Sequence, residues 1–229
     1  MQLWLCPLLA FFCGSIPFGW IFGKWRGIDI RQHGSGNIGA TNVWRVLGKS
    51  HGIPCFLLDV LKGVLPTVIG LSLIHFDGMK NPMSLELLSS KAENYPMLTA
   101  QLLQVITGLC AILGHNYSPW VGFKGGKGIA TSAGVLIALM PAAVVILVVI
   151  WALVFFFSRY VSLASIIAAA TLPLLTIWGS YFHGKFADGT WNKPLLAFSL
   201  LIAALAIYKH RSNIQRLRNG TENRFTKKS

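Results

Sequence analysis

Six long apolar runs, at 3–22, 52–75, 97–113, 129–157, 160–181 and 194–208, constrain this chain more than any other feature. The hydrocarbon core of a bilayer takes about 20 apolar residues of helix to cross. Backbone groups inside lipid find no water, so each run must satisfy its own N–H and C=O groups as helix. The run at 129–157 is too long for one untilted span and is interrupted by Pro141, where it divides in two. The reading is an all-α, polytopic integral membrane protein with about seven transmembrane helices, a single membrane-embedded domain over residues 1–229. Charged residues make up 12% of the chain, half the roughly 25% usual in soluble domains.

Twenty Lys and Arg stand against seven Asp and Glu, for a net charge of +13. On a soluble protein this excess points to nucleic acid. In a membrane protein it belongs to cytoplasmic loops, to membrane lipid headgroups and to any anionic substrate, so no nucleic acid partner is expected. Seven spans put the termini on opposite sides. An outside N-terminus gathers the basic 24–50 loop, the 114–128 segment, Arg159 and the tail from Lys209 on one face. Lys80, Lys91, Lys185 and Lys193 then share the other face with most of the acids. The positive-inside rule therefore sets the N-terminus outside and the C-terminus in the cytoplasm. Without a basic leader or a small-residue cleavage site, the first run is read as a retained span. Cys6, Cys13, Cys55 and Cys110 form no C-x-x-C pair and are read as reduced, buried side chains. With no metal-ligating cluster in the sequence, neither a metal nor a cofactor is expected.

Four polar clusters interrupt this apolar background. Gly114–Thr131 reads GHNYSPWVGFKGGKGIAT. Gly125, Gly126 and Gly128 let the backbone curl and aim several N–H groups at one spot. Lys124 and Lys127 add positive charge, and a helix start with Thr131 in its first turn completes an anion site, most simply for phosphate. The Walker A spacing is not met. At 34–45, three glycines surround Ser35 and Asn37, with Gly36 between them. A short amphipathic helix over 40–47 carries Asn42 and Arg45 back toward that turn. Asp59 and Lys62 lie inside an apolar run, where ionisable groups mark function unless they merely neutralise one another at this i, i+3 spacing. The tail opens with His210 and Asn213 on one helical face. Glu222, its lone acid, is read as tying the tail down among arginines. His115, after the third run, gains weight from its glycine-rich company.

These motifs are similar to those of the acyl-phosphate-dependent glycerol-3-phosphate acyltransferase family of bacterial inner membranes. SGNIGATNVWR at 35–45, DVLKG at 59–63, GHNYSPWVGFKGGKGIAT at 114–131 and NIQRLRNGTE at 213–222 carry the resemblance, in order and over nearly the whole chain. Lys209, where arginine is expected, and a long 76–96 loop depart from the pattern. The resemblance implies transfer of the acyl group of an acyl phosphate to the sn-1 hydroxyl of glycerol 3-phosphate, the first acylation of phospholipid synthesis, on the cytoplasmic face by a monomer. It also implies roles. Ser35, Arg45 and the turn of Lys124, Gly125, Gly126, Lys127 and Gly128 hold phosphates, with Asn37 and Asn42 orienting the first turn. Lys62 offsets charge on the acyl phosphate. His115 or His210 polarises the glycerol hydroxyl, unless a substrate phosphate oxygen takes the proton, and Asn213 donates to the carbonyl oxygen.

Two other readings compete. An organic-phosphate transporter would also use broken helices and glycine turns, but all four clusters face one side. A scaffold for anionic headgroups explains the charge and not the glycine turns. His183 and Asp188 match the H-x-x-x-x-D pattern of a different glycerolipid acyltransferase family. Two fixed letters recur by chance, and the expected topology puts them on the outer face.

Overall fold

The computed structural model describes residues 2–79, 83–89 and 93–225; Lys80 and Lys91 lie outside them, as do the last lysines of the tail. The chain divides into two compact units, Met1–Leu139 and Met140–Ser229.

In the first unit, α1 (Gln2–Ser15) is followed by α2 (Phe18–Trp25), α3 (Ala40–Leu47) and α4 (Lys49–Leu73). The break after α1 has a simple cause. Pro17 has no N–H to continue the ladder and disfavours helical geometry at Ile16, so the carbonyls of Ser15 and Ile16 must find other donors. Ser118 Oγ donates to the first at 2.6 Å and Lys62 Nζ to the second at 2.6 Å. Gly48, at φ +84°, turns the chain sharply from α3 into α4.

β1 (Ile74–His75) pairs in parallel with β2 (Glu93–Asn94), with α5 (Glu86–Ser89) between them. The loop expected over 76–96 is thus pinned at both ends. Tyr95 N–H donates to the His75 carbonyl at 2.9 Å and Gln104 Nε2 to that of Ile74 at 2.7 Å. Next, α6 (Met97–Asn116) packs against α1 and α4, and α7 (Ile129–Leu139) against α4. A Cβ on Gly63 would overlap the Thr131 carbonyl, and one on Gly134 that of Val60. Only missing side chains let α4 and α7 approach so closely.

The second unit is α8 (Pro141–Ser158), α9 (Val161–Phe182), α10 (Lys193–Lys209) and α11 (Arg211–Arg218). Asn192 caps α10 by accepting from Leu195 N–H at 2.8 Å, and Pro194 sits in its first turn. No residue of α8 is buried, as suits a helix that meets hydrocarbon.

Trp4–Trp25, Lys49–Leu73, Met97–Val121, Pro141–Ser158 and Val161–Phe182 are long and apolar enough to cross a membrane. The pair α10 and α11, bent by 55°, makes a sixth candidate. The division at Pro141 falls where the sequence places it, but α7 has 11 residues and is about 16 Å long, short of the roughly 30 Å hydrocarbon core. Its start is delayed by the unwound 124–128 stretch and its end is set by Pro141. Among the described residues, length alone therefore gives five or six spans, against the expected seven.

Candidate active site

Lys62 and Asp59 form an ion pair at 2.8 Å, with side chains 3% and 2% exposed. The pairing expected from their i, i+3 spacing is present, but it reaches further than one helix. The Lys62 ammonium also binds the Ile16 carbonyl and lies 5.4 Å from the Phe18 ring centre. Asp59 Oδ1 stands 3.6 Å from His115 Nδ1 at the end of α6. The other ring nitrogen faces the glycine turn, since a Cβ on Gly126 would overlap His115 Nε2. Gly126 N–H donates to the His115 carbonyl at 3.1 Å. A line of buried polar groups therefore runs from the α1 break through Lys62, Asp59 and His115 to Gly126.

The turn itself is built on the end of α6. Asn116 is fully buried, and Gly128, at φ +81°, lies against its side-chain amide. Phe123 adopts φ +60° without being glycine, a local strain of about 1–2 kcal/mol of the kind that collects at functional sites. Lys124 is exposed and Lys127 half-buried. Thr131 lies in the first turn of α7, as expected, but it is fully buried with its hydroxyl unpaired. Exposed Trp25, Trp44, Trp120 and Phe123 flank the polar segments, a distribution typical of the membrane–water interface.

Asn42 organises the first loop. Its side chain is 2% exposed. Oδ1 accepts from Ser35 N–H at 2.8 Å, while Nδ2 donates to the carbonyls of Ile30, His33 and Asn37 at 3.2, 3.0 and 2.9 Å. Asn37 Oδ1 in turn accepts from Gly39 N–H at 2.8 Å, setting the start of α3. Gly36 takes φ +71°, and Arg45 lies half-buried in the last turn of α3. Asp29, the loop's only acid, is bound through both oxygens by Arg31. Those hydrogen bonds hold its carboxyl at about 2. The two loops meet through an apolar cluster, in which Val121 packs with Ile30, Ile38, Val43 and Cys55.

His210 and Asn213 belong to the second unit. The helix breaks at His210, whose Nδ1 donates to the Ala206 carbonyl at 2.8 Å, and Asn213 follows in α11. Both are buried. Glu222 closes the tail back onto the unit. It accepts from Ser162 Oγ, Asn213 Nδ2 and Arg216 Nε at 2.7, 2.6 and 2.7 Å. Phe225 N–H reaches the Arg159 carbonyl at 2.9 Å. Burial by itself would raise the Glu222 carboxyl, but the three hydrogen bonds and the Arg216 charge outweigh it and hold the group below its usual range. A depressed carboxylate stabilises fully above its unfolded value and loses that contribution as pH falls through the folded one. Melting curves should therefore show a drop in stability below about pH 4, and Glu222→Gln should lower the melting temperature at neutral pH and flatten this acid limb. An acid limb identical to wild type would remove Glu222 from that role.

Sequence reasoning named Asp59 but gave it no part in the site, and it missed Asn116, Ser118 and the Ile16 carbonyl. The proline at 17 was the one available signal for the last, because a broken helix end needs partners. Asp188 accepts from the Thr190 N–H and hydroxyl in an exposed turn, away from any polar cluster of its own unit.

Membrane-crossing helices joined to two glycine-rich basic loops, one of them seated on a buried imidazole and carboxylate, define a polytopic integral membrane protein with a loop-built polar site. The family profile described as glycerol-3-phosphate acyltransferase matches residues 4–220. A glycerol-3-phosphate acyltransferase of Fusobacterium nucleatum is 42% identical over 95% of this chain and 95% of its own. One of Aquifex aeolicus is 38% identical over 98% and 100%. Among solved structures, the integral membrane glycerol 3-phosphate acyltransferase PlsY in its glycerol 3-phosphate form is 36% identical. It superposes with a TM-score of 0.79 over 99% of this chain and 96% of that one. The lysophosphatidic acid form gives 0.77 over the same shares. The chain belongs to the glycerol-3-phosphate acyltransferase family.

Proposed function

We propose that this protein transfers the acyl group of an acyl phosphate to the sn-1 hydroxyl of glycerol 3-phosphate, as a monomer. The hydroxyl oxygen bonds to the acyl carbon, the acyl–phosphate C–O bond breaks, and inorganic phosphate leaves with 1-acylglycerol 3-phosphate as product. One observation carries this reading: Val121, three residues before the Lys124–Gly128 turn, packs against Ile38 and Val43 of the Ser35–Arg45 loop within one unit, which suits a reaction in which both substrates bear phosphate. The names of the relatives and the two PlsY forms support glycerol 3-phosphate as acceptor and lysophosphatidic acid as product.

Ser35, Gly36, Asn37 and Arg45 hold one phosphate, with Asn42 setting their loop. Lys124 to Gly128 and the start of α7 hold the other. The proton goes to a histidine or to a phosphate oxygen of the substrate, and Asn213 stabilises charge on the carbonyl oxygen. Phosphate is already a good leaving group, so no covalent enzyme intermediate is needed. The excess of Lys and Arg supports placing this chemistry at the cytoplasmic face of a bacterial inner membrane. An outside N-terminus and cytoplasmic C-terminus require an odd number of crossings; with the bent α10 and α11 pair as a sixth, α7 and the extended residues before it would return the chain across the membrane.

The test is phosphate release by purified protein in detergent, given palmitoyl phosphate with and without glycerol 3-phosphate. Release that needs both, matched by lysophosphatidic acid, is expected. No release from folded protein would sink the transferase and send the work to flux assays in sealed vesicles. Arg45→Ala should raise the KM for glycerol 3-phosphate roughly 10- to 100-fold, the worth of one charge-assisted hydrogen bond. Unchanged KM and turnover would take Arg45 out of the phosphate site.

A further inference from the structure

The roles above leave Asp59 unused and do not explain why Lys62, His115 and Gly126 are joined in one buried line. Asp59 and His115 sit below the glycine turn, with side chains 2% and 5% exposed. The imidazole lies between the two: Nδ1 faces the carboxylate, while Nε2 faces Gly126 so closely that no Cβ fits. Gly125 rests on the His115 and Asn116 backbone, where a Cβ would overlap the His115 carbonyl. The carboxylate is itself held by Lys62, and Lys62 by the Ile16 carbonyl in the break between α1 and α2. Every member of the line is therefore positioned by its neighbour, and the line ends on the Gly126 backbone.

We propose that Asp59 and His115 are positioning residues for the glycine turn: the Asp59–Lys62 pair orients the imidazole, and the imidazole sets where the Gly125–Gly126 backbone stands. His115 then acts on the substrate through Gly126 and takes no proton from it. This inference rests on the reading of the turn as a phosphate cradle, and a displacement of about 1 Å in such a cradle costs on the order of 10²-fold in rate.

A double-mutant cycle tests whether ring and turn act through one contact, and a pH–rate profile separates positioning from chemistry. Gly126→Ala puts a methyl where the ring stands and should lower kcat/KM about 10²-fold. In a His115→Ala background the ring is gone, so Gly126→Ala should add less than about threefold, because both changes act on one contact. Losses that multiply in full would overturn the proposal, since ring and turn would then not act through one contact. A pH–rate profile that keeps its shape in the His115→Ala protein is expected; loss of a titration step there would show that His115 takes the proton and overturn the positioning role.

Amide hydrogen exchange supplies a readout that needs no substrate. In purified Asp59→Asn protein, exchange at the Gly125 and Gly126 amides should rise about tenfold or more, while α4 and α6 beyond one turn from the substitution stay protected. If Asp59→Asn does not fold, His115→Gln is measured in its place. Unchanged exchange at the turn of a folded variant overturns the coupling, whatever the transferase assay shows. A failed transferase assay with increased exchange would instead keep the coupling and discard the substrate.

Discussion

Asn42→Asp should cost nearly as much activity as Asn42→Ala, although it preserves the shape of the side chain. The amide Nδ2 points at the carbonyls of Ile30, His33 and Asn37, and a carboxylate would set a further acceptor, with charge, against three acceptors. Each buried group left without its partner costs about 1–3 kcal/mol. Either the new carboxyl protonates or the loop that presents Ser35 opens. Thermal melting in detergent and the KM for glycerol 3-phosphate measure the two consequences together. If the Asn42→Asp protein kept wild-type melting and wild-type KM, Asn42 would not be what holds the loop.

Lys62→Met should be the most destabilising single change at the site. The carboxylate of Asp59 would remain in apolar surroundings without its cation, a loss of about 3–5 kcal/mol for a buried pair broken on one side. Burial leaves few alternatives, since the Asp59 side chain is 2% exposed. Adding Asp59→Asn removes the stranded charge, so the double variant should recover most of the stability. Activity should stay low in the double variant, because the imidazole has lost the carboxylate that orients it. Melting curves and turnover of the three proteins check this. A double variant that melts lower than Lys62→Met would mean the pair contributes no electrostatic balance.

Much of this protein is readable along the chain. Apolar runs of bilayer length can only be helices, so 52–75 appears as α4 and 160–181 as α9 with small shifts at the ends. The helix at 40–47 follows from its amphipathic pattern, and the stop at Met140 from the proline after it. The i, i+3 pairing of Asp59 with Lys62, the first-turn place of Thr131 and the tail contact of Glu222 needed only short-range spacing. The span count did not follow as directly. Hydropathy treats 129–139 as part of a long apolar run, while the helix there has 11 residues because the glycine turn before it stays unwound.

What the sequence determined by itself is that the apolar runs are helices and where the two glycine-rich basic loops fall, since period, length and composition are properties of neighbouring residues. Only the tertiary structure decided which of those residues meet. That Val121 closes the Ile38–Val43 cluster, that Lys62 completes a helix end broken by Pro17, and that His115 stands between Asp59 and Gly126 depend on contacts between distant segments. Burial is the reason. Once α1, α4, α6 and α7 pack with glycines at their crossings, each polar group caught between them must find its partner on whichever helix the packing brings near.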